Sequence, residues 1–200
     1  MTRLPALTMD DLDDRGRALY EQMITLNTSL GNALLGHPLD DTAGPANAFL
    51  YAPELGAKVM ELGAYVNAES ALTPRTKEIV IMTVAARWQA EFEWWAHLRM
   101  AKGNDVEQSV IEAIAVRGVP DLPDETDRVL WAVAHGLVES GRIDDETYAA
   151  AEALLGRSEL AKVIALCGFY TLVAFLLNGF DVDVPGGESR YWDGSVATPG

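Results

Sequence analysis

Residues 72–102 read LTPRTKEIVIMTVAARWQAEFEWWAHLRMAK. Thr73 followed by Pro74 is a helix start: a hydroxyl cap, then a proline whose missing N–H is no loss in the first turn. The helix it opens carries Glu78, Ile79, Met82 and Ala86. A second helix begins near Gln89 and runs to about Lys102, stopping before Gly103. The apolar run Ile79–Val84 sits inside a good helical frame, so it is not read as a strand.

The same punctuation extends in both directions. Upstream, Thr8 with Asp11 predicts a capping box, and Leu12, Leu19, Met23 and Leu26 mark one helical face after it. Residues 36–52 are rich in turn formers and predict an irregular connection. Pro53 opens a helix with the apolar stripe Leu55, Val59, Leu62 and Val66. Downstream, Asp105 to Gln108 predicts a capping box and a short helix reaching Arg117. Gly118–Pro123 breaks the chain, and helices cover 124–139, 144–155 and 159–179, with Gly141 and Gly156 at the C-terminal caps. The sequence therefore predicts an all-α fold in three parts. Residues 1–50 form an N-terminal helix and connection packing on the core, 51–183 the main helical domain, and 184–200 a tail.

The chain has 200 residues with 30 Asp and Glu against 15 Lys and Arg, a net charge of −15. Such a charge repels phosphate backbones and anionic membranes, so neither nucleic acid nor a membrane is an expected partner. Residues 163–180 lack any charge and reach the lower length limit of a spanning helix. Thr171, Asn178, two glycines and the acidic flank at Asp181 and Asp183 favour a core helix buried on all sides. The first twenty residues lack the features of a signal peptide, and the one cysteine, Cys167, permits no intrachain disulfide. A cytoplasmic location is the expectation.

Glu93 and His97 lie four apart on one helix and share a face. If the two helices of 72–102 pack antiparallel, Glu78 on the first approaches both. Two carboxylates and an imidazole among Trp88, Trp94 and Trp95 would form a polar site in apolar walls, where carboxyl pKa values separate and acid and base roles arise. The spacing alone also fits a surface pair or a satisfied core histidine. Metal binding through Glu93 and His97 has weak support, because no second histidine lies nearby. Glu91 reads as a solvated neighbour, Arg99 as facing solvent or a partner subunit, His135 as core or interface, and His37 as part of a turn.

The pattern L-T-P-R-x-x-E-I…E-F-E-W-x-x-H resembles the carboxymuconolactone decarboxylase and alkylhydroperoxidase D superfamily. Pro53-Glu54-Leu55, Asp145–Tyr148 and Leu166–Thr171 extend the resemblance over about residues 50–180. It implies a helical bundle of the alkylhydroperoxidase D-like type, assembled as a homo-oligomer, a trimer or a hexamer. In the peroxidase branch a glutamate precedes Cys-x-x-Cys-x-x-x-His by twelve residues. Glu78 matches that glutamate and His97 the histidine, while the two cysteine positions fall on Ala90 and Glu93. Peroxide reduction of that kind needs a thiolate nucleophile and a resolving thiol, so it is disfavoured here. The resemblance thus points to the decarboxylase-like branch: a cofactor-free, metal-free lyase or isomerase on a small cyclic carbonyl or lactone. His97 is then the general acid or base, Glu78 its orienter or relay, and Glu93 a further catalytic group. Trp94 and Arg75 are expected at the substrate. The alternative is a ligand-binding or structural member of the fold without catalysis.

Overall fold

The computed structural model describes residues 2–188 and 190–192. Among them every regular element is helical: α1 (Asp14–Leu35), α2 (Ala46–Leu50), α3 (Pro53–Ala68), α4 (Pro74–Trp88), α5 (Glu91–Gly103), α6 (Gln108–Ala115), α7 (Glu125–Ser140) and α8 (Asp145–Gly179). Short 3-10 turns occur at Met9–Asp11 and Pro185–Gly187.

α4 is the hub, packed by α5, α6, α7 and α8. Every residue from Glu78 to Ala86 is buried, so the helix is apolar nearly all round rather than striped. Its start follows the sequence: Thr73 Oγ1 accepts the Thr76 N–H at 3.1 Å, and Pro74 occupies the first turn. It ends at Gln89, in the left-handed region at φ 48°. The Ala90 N–H then bonds back to the Ala85 carbonyl at 3.0 Å. That reversal sends α5 back along α4. Val80, Ile81 and Val84 of α4 meet Leu130 and Val133 of α7 and Leu166 of α8 in one apolar cluster. Each such buried side chain contributes roughly 1.5–3 kcal/mol. Asp13, Asp124 and Asp144 cap α1, α7 and α8, each accepting an N–H three residues on.

α4 and α7 are also fastened by a buried polar latch. Asp127, 2% exposed, accepts from Thr76 Oγ1 at 2.7 Å and from Arg75 Nε at 2.8 Å.

Several expectations need correction. The Thr8–Asp11 box forms, with Asp11 Oδ2 accepting the Thr8 N–H at 2.9 Å, but it opens the 3-10 turn and not α1. Leu26 is 50% exposed, and Tyr20 and Asn27 take the inner face. The 36–52 connection contains the buried helix α2. In α3 Leu55 and Leu62 face outward at 54% and 44% exposure, while Gly56, Val59, Gly63 and Val66 face inward. Asp105 has φ 57° and makes no cap; α6 starts three residues later. The expected break at Gly156, by contrast, is present: the residue is non-helical at φ 71° and ψ 164°, and α8 is two helices joined across that kink.

α8 is the one helix among the described residues long and apolar enough to cross a membrane, and 44% of that apolar window is buried within the chain. It is buried on one side only. Ile164, Leu172 and Phe175 are 37%, 38% and 55% exposed.

Candidate active site

The antiparallel pair α4–α5 brings Glu78 and His97 together. His97 Nδ1 lies 2.7 Å from Glu78 Oε2, and the two residues are 7% and 5% exposed. At that distance the ring N–H at Nδ1 donates to the carboxylate, which fixes the tautomer and leaves Nε2 as the free basic nitrogen. α8 supplies the next wall. Tyr170 meets the His97 ring edge-on, with centroids 5.0 Å apart and an interplanar angle of 88°.

Tyr170 is anchored from α3. Its hydroxyl donates to Asn67 Oδ1 at 3.1 Å, and Asn67 Nδ2 in turn donates to the Gly63 carbonyl at 2.9 Å. Lys77 Nζ donates to the Asn67 carbonyl at 2.6 Å. Burial is the main cause that raises the Tyr170 hydroxyl's pKa. Tyr170 is therefore held as a neutral phenol. The sequence reading singles out neither Asn67 nor Tyr170. A tyrosine inside a charge-free helix is the available signal, because a buried phenol needs a hydrogen-bond partner.

Glu93 lies one turn before His97 on α5 and is 3% exposed. Neither carboxyl oxygen has a hydrogen-bond partner among the described residues. Burial raises its pKa well above the ordinary glutamate value. Among the described residues no three His, Cys, Asp or Glu side chains are placed to hold a metal ion. Glu78, Glu93 and His97 thus share a neighbourhood without converging on one point.

The other candidate residues lie elsewhere. Arg75 donates to Asp127, to Glu107 Oε2 at 2.6 Å and to the Asp105 carbonyl, all on the α6–α7 side. Trp94 packs under the C-terminal segment, its ring 5.1 Å from Tyr191 and 4.9 Å from Trp192. Glu91 is no solvated neighbour: its carboxylate accepts the backbone N–H groups of Tyr191 at 2.7 Å and Trp192 at 2.9 Å. Arg99 lies over the Trp95 ring and forks onto Glu188 at 2.7 and 2.8 Å. Glu188, Tyr191 and Trp192 therefore strap the face of α5 opposite Glu93 and His97. Residues 193–200 of the expected tail lie outside the described residues. His135 stacks on Trp131 at 4.9 Å, and His37 is exposed.

Cys167 is buried on α8, and burial pushes its thiol up to about 12. A thiol held that far from ionisation is no nucleophile.

Solved alkylhydroperoxidase D-like proteins share this helical fold. The chain superposes with TM-score 0.72 on an alkylhydroperoxidase AhpD core, a peroxidase-related protein of Ralstonia eutropha JMP134, at 15% identity over 92% of this chain and 93% of that one. An AhpD-type protein of Agrobacterium tumefaciens gives TM-score 0.62 at 18% identity over 70% and 96%. A cysteine-to-alanine variant of the debrominase Bmp8, in complex with 2,3,4-tribromopyrrole, gives 0.65 at 15% over 92% and 91%. At these identities the likeness is one of fold. No curated protein sequence matches the chain. Residues 53–135, which hold α3 to most of α7 and so Glu78, Glu93 and His97, match the carboxymuconolactone decarboxylase family. The fold of the chain is therefore alkylhydroperoxidase D-like, and the carboxymuconolactone decarboxylase match lies within residues 53–135.

Proposed function

We propose that the chain is a cofactor-free lyase or isomerase that moves a proton on a small cyclic carbonyl compound or lactone. The observation that carries this reading is the buried Glu78–His97 pair at 2.7 Å. Glu78 holds the imidazole in one tautomer and stabilises the imidazolium formed when Nε2 takes a proton; Nε2 later returns that proton to carbon. In a decarboxylation the same nitrogen protonates the carbanion left after carbon dioxide departs. Such chemistry needs an electron-withdrawing carbonyl on the substrate and a water-poor site, and no electron carrier. Bmp8 shares the fold and was crystallised with a small ring compound, which supports a small cyclic ligand here. Thiol-based peroxide reduction has no support: Ala90 and Glu93 stand at the motif positions, and Cys167 is buried on another helix.

The test follows the ultraviolet absorbance of carboxymuconolactone, then hydrogen–deuterium exchange beside the carbonyl in a panel of cyclic ketones, enones and lactones. Wild type is compared with His97→Ala. Turnover or exchange that falls by roughly 100-fold or more in the variant, with the helical content unchanged, supports the reading. Equal measurable rates in both proteins overturn the role of His97, and no rate with any compound leaves a binding protein of the same fold.

We further propose that the protein works as a homo-oligomer. The outer face of α8, with Ile164, Gly168, Leu172 and Phe175, carries no charge, and Leu55, Leu62 and Tyr65 are exposed on the neighbouring α3. A second copy is the occupant this face suits, since two acidic chains meet there without bringing carboxylates together.

A further inference from the structure

The Glu78–His97 pair leaves one ionisable group of the site unexplained. Glu93 is 3% exposed and both of its oxygens lack a partner among the described residues. The charged and titratable groups around it do not supply one. Glu78 from α4 is itself a carboxylate, already joined to His97. Tyr170 from α8 gives its proton to Asn67. Lys77, on the α3 side, is held by the Asn67 carbonyl. Arg75 and Arg99 are committed to Asp127 and Glu188. An ionised Glu93 would be a second buried negative charge with no cation and no N–H to solvate it, a strongly unfavourable state. A neutral carboxyl avoids that penalty and has one O–H to give.

We propose that Glu93 is the acid of the site: it stands as a carboxylic acid and donates its O–H to the carbonyl oxygen of the bound molecule, so that the site takes neutral ketones, enones, lactones or esters and rejects polyanions. This rests on the proton-transfer reading of His97 and assigns its substrate class. Glu93 and His97 are four apart on a helix, which sets their Cβ atoms about 5–6 Å apart. That separation suits a ligand whose carbonyl oxygen faces one and whose neighbouring C–H faces the other. In the step, His97 Nε2 takes the proton from the carbon beside the carbonyl. The C–H electron pair becomes the C=C bond of an enol, and the carbonyl π pair takes the proton of Glu93. Glu93 is left as carboxylate beside an imidazolium; the reverse transfers, at the same or a conjugated carbon, restore both. A dianionic lactone would bring two further negative charges beside the Glu78 carboxylate, which is joined to His97.

The experiment is infrared difference spectroscopy on the full chain at neutral pH, with cyclohex-2-en-1-one as the probe. Wild type should show the carbonyl band of a protonated carboxyl group, absent in Glu93→Gln and retained in Glu78→Gln. Bound enone should show its own carbonyl stretch moved to lower frequency in wild type, less so in Glu93→Gln and not in Glu93→Leu. Hydrogen exchange beside the carbonyl should fall roughly 100-fold in Glu93→Leu. A wild type without the carboxyl band, or without a shift of the enone stretch, overturns the proposal; so does an equal shift in Glu93→Leu. His97-dependent exchange that persists unchanged in Glu93→Leu sinks this proposal and spares the reading of His97. A shifted enone stretch without any exchange does the reverse.

Discussion

Glu78 and Glu93 are both buried glutamates, 5% and 3% exposed on adjoining helices, yet their surroundings assign them different work. Glu78 has an imidazole N–H against it, so its charge is met. Glu93 has only desolvation, which favours the neutral form. The difference has a consequence for stability. Because its pKa in the folded chain stands well above 4.5, the folded state keeps a proton on Glu93 that the unfolded chain releases as pH rises past that value. Wild-type stability therefore falls with rising pH, from about pH 4.5 up through the folded pKa, by about 1.4 kcal/mol per pH unit from this group. Glu93→Gln has no proton to lose there. Denaturant midpoints measured across this range should show the variant gaining on wild type as pH rises. Parallel pH profiles would mean that Glu93 is solvated in the folded protein. The Glu–His spacing is legible in the sequence because helical periodicity fixes which residues share a face. The absence of partners around Glu93 is not, because it depends on where α3 and α8 place Asn67 and Tyr170.

Among the helices, starts are easier to anticipate than inner faces. Thr73-Pro74, Pro53, Asp124 and Asp144 act locally, within the first turn, and each begins a helix where expected. The α3 stripe departs from expectation because glycine lets helices approach closely: Gly56 lies against Phe49 and Gly63 against Phe169, so Leu55 and Leu62 turn outward. The Asp105 box fails because that residue takes a left-handed turn, its carbonyl accepting from Arg75. Gly156 reads as a helix end in the sequence, and two helices do meet there across a kink within α8. No atom lies within 4 Å of where its Cβ would go, so Gly156→Ala tests backbone conformation alone. At φ 71° and ψ 164° the substitution should cost roughly 1–3 kcal/mol of unfolding free energy. Gly103, equally uncrowded but in ordinary helical conformation, should gain roughly 0.5–1 kcal/mol on Gly103→Ala. Equal effects at the two sites would show that the kink relaxes without strain.

Across the protein, charge and apolar surface are segregated. A net charge of −15 is carried by a chain whose last long helix exposes an uncharged face. Leu172→Glu places a carboxylate on that face, and Phe175→Glu does the same while also removing the ring that packs edge-on against Trp88 at 4.7 Å. Sedimentation should show them as smaller species than wild type; an unchanged distribution would put any subunit contact elsewhere. The composition tells of the uncharged stretch, but not that it has an inside and an outside, since that follows from which side α4, α5 and α7 occupy. The strap over α5 has a different kind of consequence. Glu91 grips main-chain amides at 191 and 192, groups that every residue but proline presents alike. That grip is therefore indifferent to the spelling of the segment and sensitive to its length. Adding or deleting one residue between the end of α8 and Tyr191 would slip the amides past the carboxylate, whereas many side-chain exchanges along the way would leave the grip in register.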